Sequence, residues 1–128
     1  YTRIPIGAPA GNYYVVVKHR NHAAVMSKNS IGLSVSSSSP FSFADNASSS
    51  YGLNPVKLLE TGVFGMWAGD INQDGQVTTE DYTVWYNSAR LGETGYRDTD
   101  VNLNGQVTTE DYTAWYNNAR LGAASGVP

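Results

Sequence analysis

Short hydrophobic runs rich in Val and aromatic residues, separated by polar stretches, fill the first half of the chain, a pattern typical of β-strands. Clusters of Gly, Pro, Asn and Ser separate these runs and favour tight turns. We therefore expect an antiparallel, sandwich-like β unit over residues 1–68. Its core would be thin, so we also expect it to be incomplete, with further strands from an upstream segment or another chain. The predicted strands are residues 12–19, 22–27, 31–35, 56–60 and 63–67.

The second half of the chain contains an internal repeat with an offset of 30 residues. The stretch that begins at Asp70 returns at Asp100, and only five of its 23 positions differ between the two copies. Chance does not produce such a match. Residues 69–128 are therefore predicted to form a second domain, and the whole chain is predicted to be of the α+β class.

Each copy is predicted to end in an amphipathic helix. Thr78 and Asp81 fit a capping box, and Gly92 stands where a helix C-terminus needs a glycine; Thr108 and Gly122 mark the second copy. We expect the aromatic residues between these ends to pack the two helices against the β unit. The alternative is that some of them form a partner-binding or sugar-stacking face. These residues are Trp85, Tyr86, Trp115 and Tyr116.

Each copy opens with the ligand pattern of a calcium loop. Oxygen-bearing side chains stand at positions 1, 3, 5 and 12, a glycine stands at position 6, and position 7 offers its backbone carbonyl. Calcium takes six to eight oxygen ligands, and this spacing supplies them within about a dozen residues. We therefore expect two calcium sites. The predicted ligands are Asp70, Asn72, Asp74, Gln76 and Asp81 in loop 1 (residues 70–81), and Asp100, Asn102, Asn104, Gln106 and Asp111 in loop 2 (residues 100–111).

The two predicted sites differ in charge. Loop 1 has three carboxylates at ligand positions, whereas loop 2 has two because Asn104 replaces Asp74. We expect loop 1 to bind calcium more tightly, unless Asp98 or a backbone group supplements loop 2. Glu80 and Glu110 stand at position 11 and are not expected to be ligands.

The paired loops and helices over residues 69–122 resemble the duplicated calcium-binding F-hand motifs of dockerin modules. Position 12 is Asp in both copies, as in dockerins, whereas EF-hands usually have Glu there. The wider pattern, from Asn12-Tyr-Tyr-Val-Val-Val-Lys-His-Arg-Asn-His22 to Gly65-Met-Trp-Ala-Gly-Asp70, is similar to a β-plus-dockerin-like tail of secreted bacterial surface proteins. The resemblance implies extracellular calcium binding and protein assembly. It does not imply a cohesin partner, because Tyr82-Thr83 and Tyr112-Thr113 only partly match the recognition positions of cellulosomal dockerins.

Composition excludes several other classes. The formal net charge is −3, and the acidity is concentrated in the second half, so a basic surface for nucleic acid is not expected. The chain has no cysteine and therefore no disulfide or thiolate site. It has no apolar stretch of membrane-spanning length, and its start at Tyr1 suggests a processed product or a fragment.

Catalysis is not expected. No Ser, Cys or Lys stands in a nucleophile motif, and the carboxylates are assigned to calcium. His19 and His22 flank a predicted turn, where a polar hairpin network is favoured over chemistry. The serine tracts at residues 36–39 and 48–50 are expected to be loops, with O-glycosylation as the lesser option, and residues 46–48 match a glycosylation acceptor.

The sequence thus favours an extracellular or cell-surface calcium-binding module that associates with a protein partner or with itself, for example in a surface layer or filament. Two alternatives stay open. A carbohydrate-binding module would use exposed Trp and Tyr residues on glycans. An accessory domain of a secreted hydrolase would have catalytic sequence before Tyr1.

Overall fold

The computed structural model describes residues 8–34 and 40–128. Over these ranges the chain forms six short strands, one 3₁₀ turn and two α-helices, which confirms the α+β prediction. Among the described residues, no helix has the length and apolar content that crossing a bilayer requires. The strands are β1 (Gly11–Tyr13), β2 (Val16–His19), β3 (His22–Met26), β4 (Ile31–Leu33), β5 (Lys57–Glu60) and β6 (Val63–Gly65), and the helices are α1 (Thr79–Arg90) and α2 (Thr109–Ala119).

The strands pair in three antiparallel two-stranded sheets within the described ranges: β1 with β4, β2 with β3, and β5 with β6. Antiparallel pairing agrees with the prediction, whereas the sandwich-like arrangement of the β unit and its incompleteness stay predictions. Val35 and the serine tract at residues 36–39 lie outside the described residues. The tract at 48–50 is not a plain loop, since Ala47–Ser49 forms a 3₁₀ turn that is capped by the Asn46 side chain.

The predicted strand 12–19 is interrupted at Tyr14 and Val15 by a buried serine. Ser27 donates its N–H to the carbonyl of Val15 at 2.8 Å, and its Oγ accepts the N–H of Val15 at 3.0 Å. The Ser27 hydroxyl thus replaces a backbone carbonyl as the acceptor for Val15, which interrupts the regular strand pairing at this point. As a result β1 and β2 are separate strands, and they pair with β4 and β3, respectively.

The apolar core extends from the β unit into the repeat. One cluster joins Ala23 and Trp67 of the β unit to Val77, Trp115 and Ala123. A second cluster lies between the two copies of the repeat and contains Ile71, Trp85, Val101 and Val107. Loop 1 therefore packs against buried residues of the β unit through Val77, whereas Val101 and Val107 of loop 2 pack against buried residues of the repeat.

The two copies of the repeat are joined by reciprocal hydrogen bonds. The indole N–H of Trp85 donates to the carbonyl of Thr108 at 3.2 Å, and the indole N–H of Trp115 donates to that of Thr78 at 2.9 Å. Each tryptophan therefore binds the start of the other copy's helix, which fixes the two helices relative to each other.

Candidate metal centre

The predicted capping boxes are present, and they tie each helix to its loop. Thr78 Oγ1 accepts the N–H of Glu80, and Asp81 Oδ2 accepts the N–H of Thr78 at 2.8 Å. Asp81 Oδ1 also accepts the N–H groups of Ile71 and Asn72, at 2.7 and 3.0 Å. The completely buried carboxylate at position 12 thus connects the start of the loop to the start of the helix. Asp111 has the corresponding place in loop 2.

The side chains at positions 1, 3 and 5 of loop 1 fold back onto the loop's own backbone. Asp70 Oδ2 accepts the N–H of Gly75 at 3.2 Å, and Asn72 Oδ1 accepts that of Asp74 at 3.0 Å. Asp74 Oδ1 accepts the N–H of Gln76 at 2.8 Å. Gly75 has φ of 89°, a conformation that a glycine adopts without strain. These bonds hold oxygen atoms in a tight turn, as a calcium loop requires.

Asp70 contains the atom that fits a cation best. The residue is 2% exposed, and its Oδ1 is one of two buried side-chain polar atoms without a hydrogen-bond partner in the described residues; the other is Ser50 Oγ. Burial, together with the nearby carboxylates of Asp81 and Asp74, raises the pKa of Asp70 to about 6. A divalent cation would stabilise this group of carboxylates.

Loop 2 repeats this geometry with different charges. Asp100 Oδ1 accepts the N–H of Asn104 at 3.0 Å, and Oδ2 accepts that of Gly105 at 3.0 Å. The side-chain amides of Asn102 and Asn104 donate to Glu110 Oε2, at 3.2 and 3.0 Å. A glutamate that was not expected to be a ligand therefore lies against two ligand positions and adds a third carboxylate to loop 2.

One feature of the sequence indicates that Glu110 contacts loop 2, although Glu110 does not stand at a ligand position of the calcium pattern. Position 5 is Asn104 in loop 2 and Asp74 in loop 1, and an amide can donate to the glutamate six residues on. In loop 1 the amide of Asn72 donates instead to Asp74 Oδ2 at 2.9 Å. Asp98, which was considered as a supplement to loop 2, is an exposed residue outside the loop.

The expected calcium ligands are of several kinds: carboxylates, side-chain amide oxygens and a backbone carbonyl in each loop. Among the described residues, no group of three or more His, Cys, Asp or Glu side chains is arranged to hold a metal. In both loops the expected ligand pattern also includes amide oxygens and a backbone carbonyl, and the position-12 carboxylates accept backbone N–H groups. Such a set suits a hard cation with oxygen ligands, and the residues that would hold calcium are the ten predicted from the sequence.

His19 and His22 face each other across the β2–β3 turn, as a polar hairpin network predicts. Their Nδ1 atoms are 2.9 Å apart, and His22 Nδ1 is 2.7 Å from Asn21 Oδ1. Burial, together with electrostatic repulsion from His19 and Arg20, lowers the pKa of His22 to about 4. His22 is therefore neutral at pH 7.

The aromatic residues of the two helices have two different environments. Trp85 and Trp115 are buried, in agreement with a packing role, whereas Tyr86 and Tyr116 are each 49% exposed. The exposed pair borders a groove of about 410 Å³ between the helices, and each of these tyrosines stacks on the tyrosine four residues before it. The groove is lined by Thr79, Tyr82, Trp85, Tyr86, Tyr112, Trp115 and Tyr116.

Comparison with known proteins identifies no relative of this chain: no family model, curated protein or solved structure matches it.

Proposed function

We propose that this chain is an extracellular, non-catalytic calcium-binding module that holds proteins together at the cell surface. It would act as a dockerin-type attachment module or as a subunit of a surface layer or filament. Calcium binds at loop 1 and loop 2 in this proposal, and association uses surfaces of the helices or strands that lie outside the loops.

One observation carries the calcium half of the proposal: the buried, unpartnered Oδ1 of Asp70. A buried carboxylate oxygen without a donor is costly in a folded protein. Here it belongs to position 1 of a loop whose other oxygens come from the positions that calcium loops use. A bound calcium ion would give that oxygen a partner and offset the charge that raises the pKa of Asp70.

Calcium would also supply the stabilisation that this small chain lacks elsewhere. The chain has no cysteine, and its described strands form only two-stranded sheets, which are marginal by themselves. Extracellular calcium sites work at about millimolar calcium, so even weak sites would be occupied. The metal would therefore act as a permanent structural element and not as a signal.

The helical groove supports the association half of the proposal. Exposed aromatic residues that line a groove are typical of protein-binding surfaces. Equivalent residues of the two copies line the groove, so it has two similar walls, around Tyr86 and Tyr116. Such a surface suits recognition, and we place the contact with a partner or a second copy of the chain there.

The test measures molar mass by light scattering together with thermal unfolding, in about 1 mM calcium and then in excess EGTA. We expect large species in calcium that dissociate in EGTA, with a lower melting temperature. Replacing both Tyr86 and Tyr116 by serine should reduce association but keep the effect of calcium on melting. Tyr14→Ser, at an exposed tyrosine outside the groove, is the control.

The outcomes separate the two halves of the proposal. A chain that is monomeric in both solutions but melts lower in EGTA would bind calcium without assembling. A chain that is indifferent to EGTA would contradict calcium binding itself.

A further inference from the structure

The turn between β2 and β3 contacts loop 2 directly. Asn21 is completely buried, and its Nδ2 donates a hydrogen bond of 2.7 Å to the backbone carbonyl of Asp100, 79 residues away. Arg20 Nε donates to the carbonyl of Arg97 at 2.9 Å, and Arg20 Nη2 lies 3.8 Å from Asp100 Oδ2. The guanidinium also lies over the Tyr96 ring, 3.7 Å from its centroid. Two side chains of the β unit thus hold the first ligand position of loop 2.

The equivalent carbonyl in loop 1 has a donor within its own loop. The carbonyl of Asp70 accepts a hydrogen bond of 2.7 Å from Gln73 Nε2. Loop 2 has Leu103 at that position, and a leucine side chain cannot donate. The two residues have nearly the same left-handed backbone, with φ of 62° at Gln73 and 65° at Leu103. The copies therefore differ in the donor and not in the backbone, and Asn21 supplies the hydrogen bond that Leu103 cannot.

The carboxylate of Asp100 is also more firmly held than that of Asp70. Both of its oxygens accept backbone N–H groups, from Asn104 and Gly105, and Arg20 lies beside one of them. A guanidinium beside a carboxylate orients it and offsets part of its charge. The β unit therefore orients the first ligand of loop 2 from outside the loop.

We propose that Asn21 is a positioning residue for calcium at loop 2, so that calcium binding there and docking of the β2–β3 turn stabilise each other. The inference rests on the proposed calcium binding. In loop 1 the Asp70 carbonyl has its own donor in Gln73, so calcium binding there does not depend on the Asn21 side chain. Contacts that orient metal ligands typically change metal affinity about 10- to 100-fold. By linkage, calcium favours docking of the turn by the same factor.

The test measures calcium affinity at each loop separately, by calorimetric titration of the full chain after removal of metal. Asp70→Asn is used to disable loop 1, and Asp100→Asn to disable loop 2. In the Asp70→Asn chain, Asn21→Ala should weaken binding at loop 2 by about 10-fold or more. In the Asp100→Asn chain, it should leave the affinity of loop 1 unchanged. Asn29→Ala, at an exposed asparagine in the next turn, should change neither affinity.

Leu103→Gln separates the role of a hydrogen-bond donor from a general effect on folding. In the Asn21→Ala chain it should restore the affinity of loop 2, because glutamine can donate to the Asp100 carbonyl as Gln73 does in loop 1. Leu103→Gln alone covers the case in which Asn21→Ala does not fold. In the Asp70→Asn chain, where only loop 2 binds calcium, it should reduce the calcium-dependent protection from hydrogen exchange of the Gly69 N–H, which donates to the Asn21 carbonyl at 2.8 Å.

A loss of affinity confined to loop 2 and restored by Leu103→Gln would support the inference. Unchanged affinity at loop 2, or an equal loss at both loops without restoration, would overturn it. A wild-type chain that binds two calcium ions but is insensitive to Asn21→Ala would overturn only this inference. A wild-type chain that binds no calcium would overturn the proposed function as well.

Discussion

At the scale of single residues, burial and charge conflict most clearly at Asp70. Its ionised form is disfavoured by burial and by Asp81 and Asp74 unless a cation lies beside it. We expect Asp70→Asn to keep or raise the melting temperature in EGTA, because it removes this charge. In calcium it should lose most of the stabilisation of loop 1, which is about 2.7 kcal/mol when calcium is at one hundred times its Kd. Thermal unfolding monitored by circular dichroism measures both effects.

Asp45→Asn is the matched control, since Asp45 is an exposed acid in the β unit. It should leave both melting temperatures unchanged. An Asp70→Asn chain that melts lower in EGTA yet keeps the full effect of calcium would show that this carboxylate serves the fold and not the metal.

At the scale of elements, the β2–β3 hairpin makes the folding stability of the chain depend on pH, because His22 is neutral in the folded state. Its pKa is about 4 in the folded chain and 6.5 ordinarily, so the unfolded chain takes up the proton first. The contribution of His22 to the free energy of unfolding is therefore fully present above pH 6.5 and is lost as the pH falls towards 4. Asp70 acts in the opposite direction, since its folded pKa is raised from 3.8 to about 6. The two contributions largely oppose each other in the wild-type chain.

The contribution of His22 should therefore appear when Asp70 no longer titrates. In metal-free Asp70→Asn, we expect the free energy of unfolding, measured with urea, to fall as the pH is lowered from 6.5 to 4. Adding His22→Gln, which can still donate to Asn21, should flatten this dependence. Equal slopes in the two chains would contradict the assignment to His22.

At the scale of the whole molecule, the C-terminal segment connects the repeat to the β unit. Ser125 donates its N–H to the carbonyl of Gly75 at 2.6 Å and its hydroxyl to the carbonyl of Ala24 at 2.8 Å. Next to it, a Cβ at Gly126 would overlap the carbonyl of Tyr51. We expect Gly126→Ala to destabilise the chain by about 1–3 kcal/mol and to weaken calcium binding at loop 1. Urea unfolding at fixed calcium and a calcium titration measure these effects.

Gly32→Ala is the control for this substitution. A Cβ there meets only Asn12 Oδ1, at an ordinary contact distance of 3.5 Å, so little change is expected. Equal unfolding midpoints for the two alanine variants would show that the segment is not held against Tyr51.

Local features of the repeat were predictable from the sequence because they depend on hydrogen bonds within a few residues. The capping boxes at Thr78 and Thr108 form as predicted, since each joins residues three apart. The helices also form where the aromatic spacing places them. The β unit was less predictable, because strand pairing depends on distant partners, and Ser27 interrupts a strand that its own residues favour.

The sequence by itself determined the absence of cysteine, the duplication, the loop spacing and the helix starts. The loop spacing and the helix starts could be predicted because they depend on residues close together in the chain. The contact of Asn21 with Asp100 and the burial of Trp85 and Trp115 but not Tyr86 and Tyr116 were decided only by the tertiary structure. So was the place of Glu110 against loop 2. The physical reason is that the hydrogen-bond partners and the exposure of a side chain depend on which distant residues the folded chain brings next to it.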